Sequence, residues 1–154
     1  MERIGTRVER PVIGIVVVSH SPRLADAAVE LARQMVQGDG PPMVVVAGVD
    51  GRFGTDAAAV AQAIDALADT GGVLVVPDLG SAVLSAEMAL DLRRSSVEVV
   101  VGAGPFVESL AVGIPLAALG CPLDTVATAV ATALSTTRRA RSFRAAPDAV
   151  IPMP

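Results

Sequence analysis

Four mostly β-branched apolar runs punctuate the chain, at 12–18, 43–47, 73–76 and 97–101, the last interrupted by Glu98. They do not alternate with polar residues, which is the pattern of strands covered on both faces. None approaches the roughly 20 apolar residues that a membrane helix needs. Between them, apolar residues return every third or fourth position, and these stretches predict helices.

The first predicted helix covers 22–36, with Ser21 as N-cap, Pro22 in the first turn and Leu24, Ala28, Leu31 and Met35 on one face. The second is alanine-rich, about 56–68, capped by Thr55 or Asp56; the third runs from 83 to about 94, with Glu87 and Asp91 one turn apart on its outer face. Two more follow the last strand, at 106–119, where Pro115 is expected to kink the helix, and at 123–134. Strands alternating with helices imply right-handed crossovers and a single α/β domain with an open parallel four-stranded sheet and helices on both faces; the order expected for it, 2-1-3-4, is an assumption that the alternation does not fix. Residues 1–11 read as a flexible lead-in, 12–135 as the domain, and 136–154 as a basic, proline-containing flexible tail.

Composition narrows the function. Aromatic residues make up only 2% and the net charge is -4, which removes both the stacking surface and the basic face of a nucleic-acid protein. A single cysteine, Cys121, excludes an internal disulfide and a cysteine-rich metal site. The charged start lacks an apolar signal core, so no secretory signal is expected and a cytoplasmic location is.

The chemistry gathers at two strand ends. The first run stops at Ser19-His20-Ser21, and His20 is the only histidine. The third stops at Asp78-Leu79-Gly80-Ser81. In the order 2-1-3-4, strands one and three are neighbours whose following helices leave on opposite faces. Their ends flank the switch point where such sheets bind ligands. His20 is therefore expected beside Asp78, whose carboxylate would fix the ring tautomer and leave the other nitrogen as nucleophile. Turns that begin helices, at Gly48–Asp56 and Gly80-Ser81, offer backbone N–H groups to an anion. Candidate phosphate ligands are Ser19, Ser21, Gly54, Thr55, Gly80 and Ser81, with Arg23 on the rim as a partner contact.

Several reactions fail on missing parts. There is no G-x-S-x-G elbow for a hydrolase and no ligand set for a metal. A Walker-type loop is impossible in a chain without lysine. A histidine that carries a phosphoryl group covalently needs only an imidazole, an orienting acid and backbone donors. No cofactor beyond that transient phosphohistidine, and no metal, is expected.

The same residues resemble a family. Val17-Val18-Ser19-His20-Ser21 with Leu24 and Glu30-Leu31-Ala32-Arg33-Gln34-Met35 is similar to the start of the phosphotransfer subunit of PTS-dependent dihydroxyacetone kinases, within the mannose-type IIA family. The resemblance continues through Gly54-Thr55-Asp56, Asp78-Leu79-Gly80-Ser81-Ala82 and Ser85-Ala86-Glu87-Met88-Ala89. It departs after the fourth strand, where Ala103-Gly104-Pro105-Phe106-Val107-Glu108-Ser109 replaces the family's usual A-P-L-V-E-G. The resemblance implies a homodimer whose histidine, here His20 with Asp78 as its acidic partner, accepts phosphate from the phosphocarrier HPr. It would then pass the phosphate to ADP on the kinase's nucleotide-binding subunit. A IIA component for a sugar transporter, or a non-catalytic regulatory module of the same fold, are the alternatives.

Overall fold

A computed structural model of the chain describes residues 11–137. Its elements are β1 (Gly14–Ser19), α1 (Pro22–Arg33), β2 (Met43–Ala47), α2 (Ala57–Ala66), β3 (Val73–Pro77), α3 (Gly80–Leu92), β4 (Val99–Val101), α4 (Phe106–Ala118), α5 (Leu123–Ala131) and α6 (Ala133–Thr137). Apart from Pro11 and the end of α6, the expected lead-in and basic tail lie outside the described residues.

All strands pair in parallel, as the alternation of elements predicts, and in the expected order β2-β1-β3-β4. The two central strands explain the absence of polar alternation, because each sends successive side chains into a different core. Ile15 and Val17 of β1 and Leu74 and Val76 of β3 join α1, α4 and α5 on one face; Val16, Val18, Val73 and Val75 meet α2 and α3 on the other.

Two readings of the hydrophobic pattern are corrected. β2 is not a buried strand: as an edge strand it is half-buried, and Val45 is 39% exposed. On α1, the row Leu24, Leu31 and Met35 faces outward, at 43%, 53% and 62% exposure, and the buried residues are Ala25, Ala28, Val29 and Ala32. The buried stripe is rotated by about a quarter-turn from the row of large side chains, taking ~100° per residue. Small residues let α1 lie close to α4 and β1, so backbone proximity, rather than side-chain size, chose the face.

Other differences are at helix ends. α3 begins at Gly80, three residues before the expected 83, and the last expected helix is divided at Thr132 into α5 and α6. The early start matters, because it makes Gly80 and Ser81 the first turn of a helix. α4 runs through Pro115 without interruption from Phe106 to Ala118.

Candidate functional site

Parallel pairing between β1 and β3 matches Val18 with Pro77, so the two chains leave the sheet within one residue of the same level. The Asp78 N–H continues the ladder to the Val18 carbonyl at 3.0 Å. The next side chains therefore have little choice but to meet, and His20 Nδ1 lies 2.8 Å from Asp78 Oδ1. The expected pair forms.

Asp78 is held from all sides. Its Oδ2 accepts the Ser19 hydroxyl and the His20 backbone N–H, both at 2.9 Å. Its Oδ1 accepts the Leu79 N–H at 2.7 Å besides facing the ring. Burial pushes this carboxyl up, but the bonds from the His20 backbone, the His20 ring, Ser19 and Leu79 outweigh it and hold it below its ordinary 3.8. An ionised acid at Oδ1 requires the proton to sit on Nδ1, because two acceptors cannot share that contact. Nε2 then carries the free electron pair. The Asp78 side chain is 3% exposed and the ring 21%, so the acid is sealed and the nucleophile reaches the surface.

Facing Nε2, at 2.5 Å, is the Ser81 hydroxyl, which donates to that pair when Nδ1 holds the ring proton. Ser81 stands in the first turn of α3, where Gly80 and Ser81 N–H groups have no carbonyl one turn behind them. The hydroxyl next to Nε2 thus belongs to a helix start that also carries two open amides and the positive end of the helix dipole.

The remaining expected ligands do other work. Ser19 is fully buried, beneath Asp78 instead of on the open face, and its oxygen also accepts the Ser21 N–H. The Ser21 hydroxyl caps α1 by accepting from the Leu24 N–H. The Gly54 N–H is committed to the His20 carbonyl at 3.2 Å, and Thr55 shares a bond with Ser85 at 2.7 Å. Asp56, one of two caps considered for α2, is the one used. Arg23 is exposed at the rim as expected. Among the described residues no cluster of three His, Cys, Asp or Glu side chains could hold a metal ion, and no helix is long and apolar enough to cross a membrane.

The stretch Gly48–Asp56, expected as a turn that begins a helix, also builds part of the rim. Val49 and Arg52 exchange both backbone bonds, at 2.9 Å each, around Asp50 (φ 48°) and Gly51 (φ 75°). This is a two-residue hairpin of the Asp-Gly kind, and that dipeptide was its signal. Its root is tight: a Cβ at Gly48 would stand 3.0 Å from the Arg52 carbonyl oxygen and 3.2 Å from the Pro22 ring. The hairpin carries Arg52 and Phe53 to the edge of the site.

Comparison with known proteins agrees with this geometry. Residues 14–119 match the family described as the PTS system fructose IIA component, EIIA-man. The chain is 42% identical over 119 residues to a Klebsiella michiganensis protein named "PEP-dependent dihydroxyacetone kinase, phosphoryl donor subunit DhaM", covering 74% of this chain and 25% of that one. Proteins of the same name from Pantoea ananatis (44%) and Escherichia coli (42%) match over the same shares. The chain thus spans about a quarter of the length of these curated relatives. Among solved structures, an unknown-function protein, EF1359, superposes with a TM-score of 0.69 at 27% identity, covering 78% of this chain and 93% of that one. A sigma-54 interaction domain protein from Enterococcus faecalis (TM-score 0.59, 14% identity, 88% and 98% covered) shares the fold. The sheet order, the strand-end histidine and acid, and the match across residues 14–119 agree, and the chain belongs to the EIIA-man family of phosphotransferase-system IIA components.

Proposed function

We propose that this chain is a phosphohistidine relay that takes a phosphoryl group from HPr and delivers it to ADP on the nucleotide-binding subunit of a dihydroxyacetone kinase. One observation carries the reading: an ionised, four-donor-clamped Asp78 holds His20 Nδ1 and leaves the Nε2 electron pair at the surface. In the first step that pair attacks phosphorus and the bond from phosphorus to the carrier's nitrogen breaks. The phosphorylated ring keeps its proton on Nδ1 and is positively charged, which Asp78 offsets. In the second step an oxygen of the terminal ADP phosphate attacks, the Nε2–P bond breaks, and the electron pair returns to Nε2. Neither step needs a proton to enter or leave.

Ser81, with the Gly80 and Ser81 amides, would follow the three transferring oxygens, since the hydroxyl faces Nε2 and the amides are open in the same helix turn. Ser19 and Gly54 act as supports, because the Ser19 hydroxyl donates to Asp78 and the Gly54 N–H to the His20 carbonyl; Ser21 supports by capping α1 as an acceptor, and Thr55 by its bond to Ser85. No cofactor beyond the phosphohistidine itself is called for. The printed names of the relatives, phosphoryl donor subunits of a dihydroxyacetone kinase, favour this acceptor. The family's description as a fructose IIA component favours a sugar transporter instead. A homodimer would give the half-exposed edge strand β2 a cover. The last two long helices offer less for this, since Leu110, Ile114, Leu123, Val126 and Val130 are buried in the core. A cytoplasmic location follows from these partners.

The experiment is direct. Incubated with labelled phosphoenolpyruvate, enzyme I and HPr, the wild-type chain should acquire an acid-labile, base-stable phosphate, and His20→Ala should acquire none. Equal labelling of the two would refute the relay. Presenting the labelled protein to the kinase subunit with ADP, or to a sugar transporter, separates the two acceptors.

A further inference from the structure

Resting on the relay reading, we infer that the hairpin 49–53 is the recognition element for the outgoing acceptor, a protein that presents a nucleoside diphosphate, and not for the incoming carrier. Phe53 is 83% exposed, beyond any other large apolar residue described. It is also firmly held. The hairpin closes on itself through Val49 and Arg52, its entry residue Gly48 donates to the Ser19 carbonyl at 3.1 Å, and its exit residue Gly54 donates to the His20 carbonyl at 3.2 Å. An aromatic ring offered to water on a backbone tied to the nucleophile's own residue is placed for a macromolecular partner with an apolar recess.

The charges around it say what that partner carries. Phe53 shares a cleft of about 570 Å³ with Ser21, Pro22, Arg23, Gly51 and Arg52. Among the described residues, neither guanidinium has an ion pair or a side-chain hydrogen bond. Across His20, the α3 wall is of opposite sign: beyond Ser81 it exposes Leu84 and Met88 beside Glu87 and Asp91. The two half-reactions differ in the charge they bring. On the way in, one phosphoryl group passes between two imidazoles. On the way out, the site must hold that group together with the acceptor's diphosphate, and like charges at such distances repel strongly unless cations stand between them. Among the described residues, Arg23 and Arg52 are the cations that line this cleft, and they lie on the hairpin side, outnumbering Asp50 at the hairpin's tip.

The test measures the two half-reactions separately on the full chain. Wild type, Phe53→Ala and Arg52→Ala are labelled from phosphoenolpyruvate through enzyme I and HPr, and the labelled proteins are mixed with the nucleotide-binding kinase subunit and ADP. The ratio of outgoing to incoming rate should fall about tenfold or more in each variant, the usual cost of losing an interface anchor or a charged hydrogen bond. Phe53→Leu, which keeps an apolar knob, should fall less than Phe53→Ala. Both residues are exposed, so unchanged melting temperatures are expected and show that folding is intact. An unchanged ratio, with both rates equally reduced or both untouched, overturns the inference. A wild-type chain that labels but does not phosphorylate the subunit's ADP also overturns it, while the phosphohistidine formed from HPr stands and its acceptor is another. A wild-type chain that takes no label removes the relay and this inference together.

Discussion

Replacing Asp78 by asparagine tests the site most sharply, because it keeps the shape and removes the charge. The carboxylate accepts from Ser19, the His20 backbone, the His20 ring and Leu79. An amide NH2 in place of Oδ1 would face the Leu79 N–H and Nδ1; the ring would answer by accepting at Nδ1 and moving its proton to Nε2. That removes the electron pair the phosphoryl group needs. In place of Oδ2, the NH2 would let the Ser19 hydroxyl turn away but strand the His20 backbone N–H, at about 1–3 kcal/mol for a buried donor without a partner. In either pose the anion is lost. Opposite charges about 4 Å apart attract by ~4 kcal/mol at an effective dielectric near 20. The ring is 21% exposed, and screening reduces this to about 2 kcal/mol for the phosphorylated, positively charged ring. With the tautomer shift included, a loss of about 2–3 kcal/mol means labelling roughly 30- to 150-fold slower. Quenched-flow labelling through HPr gives the rate, and 15N chemical shifts of the ring give the tautomer. A rate within threefold of wild type, with the proton still on Nδ1, would refute the assignment of Asp78 as the residue that orients His20.

Ser81→Ala removes the hydroxyl at Nε2 and should slow labelling about tenfold while leaving the Nδ1 tautomer unchanged in the same 15N spectra, the size expected for one hydrogen bond to a charged group. The Ser109 hydroxyl is buried without a partner among the described residues, so Ser109→Ala should be neutral or stabilising by up to about 1 kcal/mol in urea denaturation. Gly104→Ala should do the reverse, by about 3 kcal/mol or more, because its Cβ would stand 2.0 Å from the Val130 carbonyl oxygen and 2.6 Å from Ser109 Oγ. For pH, Asp65 is held below its ordinary 3.8 by the Ser95 and Arg94 backbone N–H groups, as Asp78 is by its own donors. A depressed folded-state pKa gives stability that is present above the unfolded value and lost as pH falls through the folded one. The urea midpoint should therefore hold between about pH 7 and 5 and drop below about pH 4, and Asp65→Asn should lower it at pH 7 and flatten the acid limb.

The His20–Asp78 pair was legible from sequence because parallel pairing leaves it almost no freedom. Once β1 and β3 are neighbours, the two strand ends arrive within one residue of the same level, and one residue beyond each is close enough to bond. The alternation of strand and helix gave the parallel pairing, while the order 2-1-3-4 was an assumption that the structure bears out. The buried face of α1 was not legible, for a reason that lies in alanine. With Ala25, Ala27, Ala28 and Ala32 available, several overlapping stripes on the helix are apolar. A search for large residues chooses Leu24, Leu31 and Met35; the fold chooses the stripe that allows closest approach. Hydrophobic periodicity records which stripes can be buried, and helix-to-helix distance decides which one is.

The helix start at Gly80 shows how the same limit touches the chemistry. Glycine and serine are poor residues for a helix interior, so the pattern suggests that α3 begins at the first apolar run, near 83. At the first turn those penalties shrink, because the N–H groups there have no intrahelical partner to lose. What Gly80 and Ser81 forfeit in helix propensity they return as two open amides at the helix start and a hydroxyl beside Nε2. Local propensity therefore misjudges this boundary at the helix terminus that stands beside the nucleophile. The same holds at Ser19, whose hydroxyl looks like a ligand in sequence and is a buried prop in the structure. Residue type shows which groups could hold a phosphate, and the hydrogen bonds already made determine which of them remain free to do so.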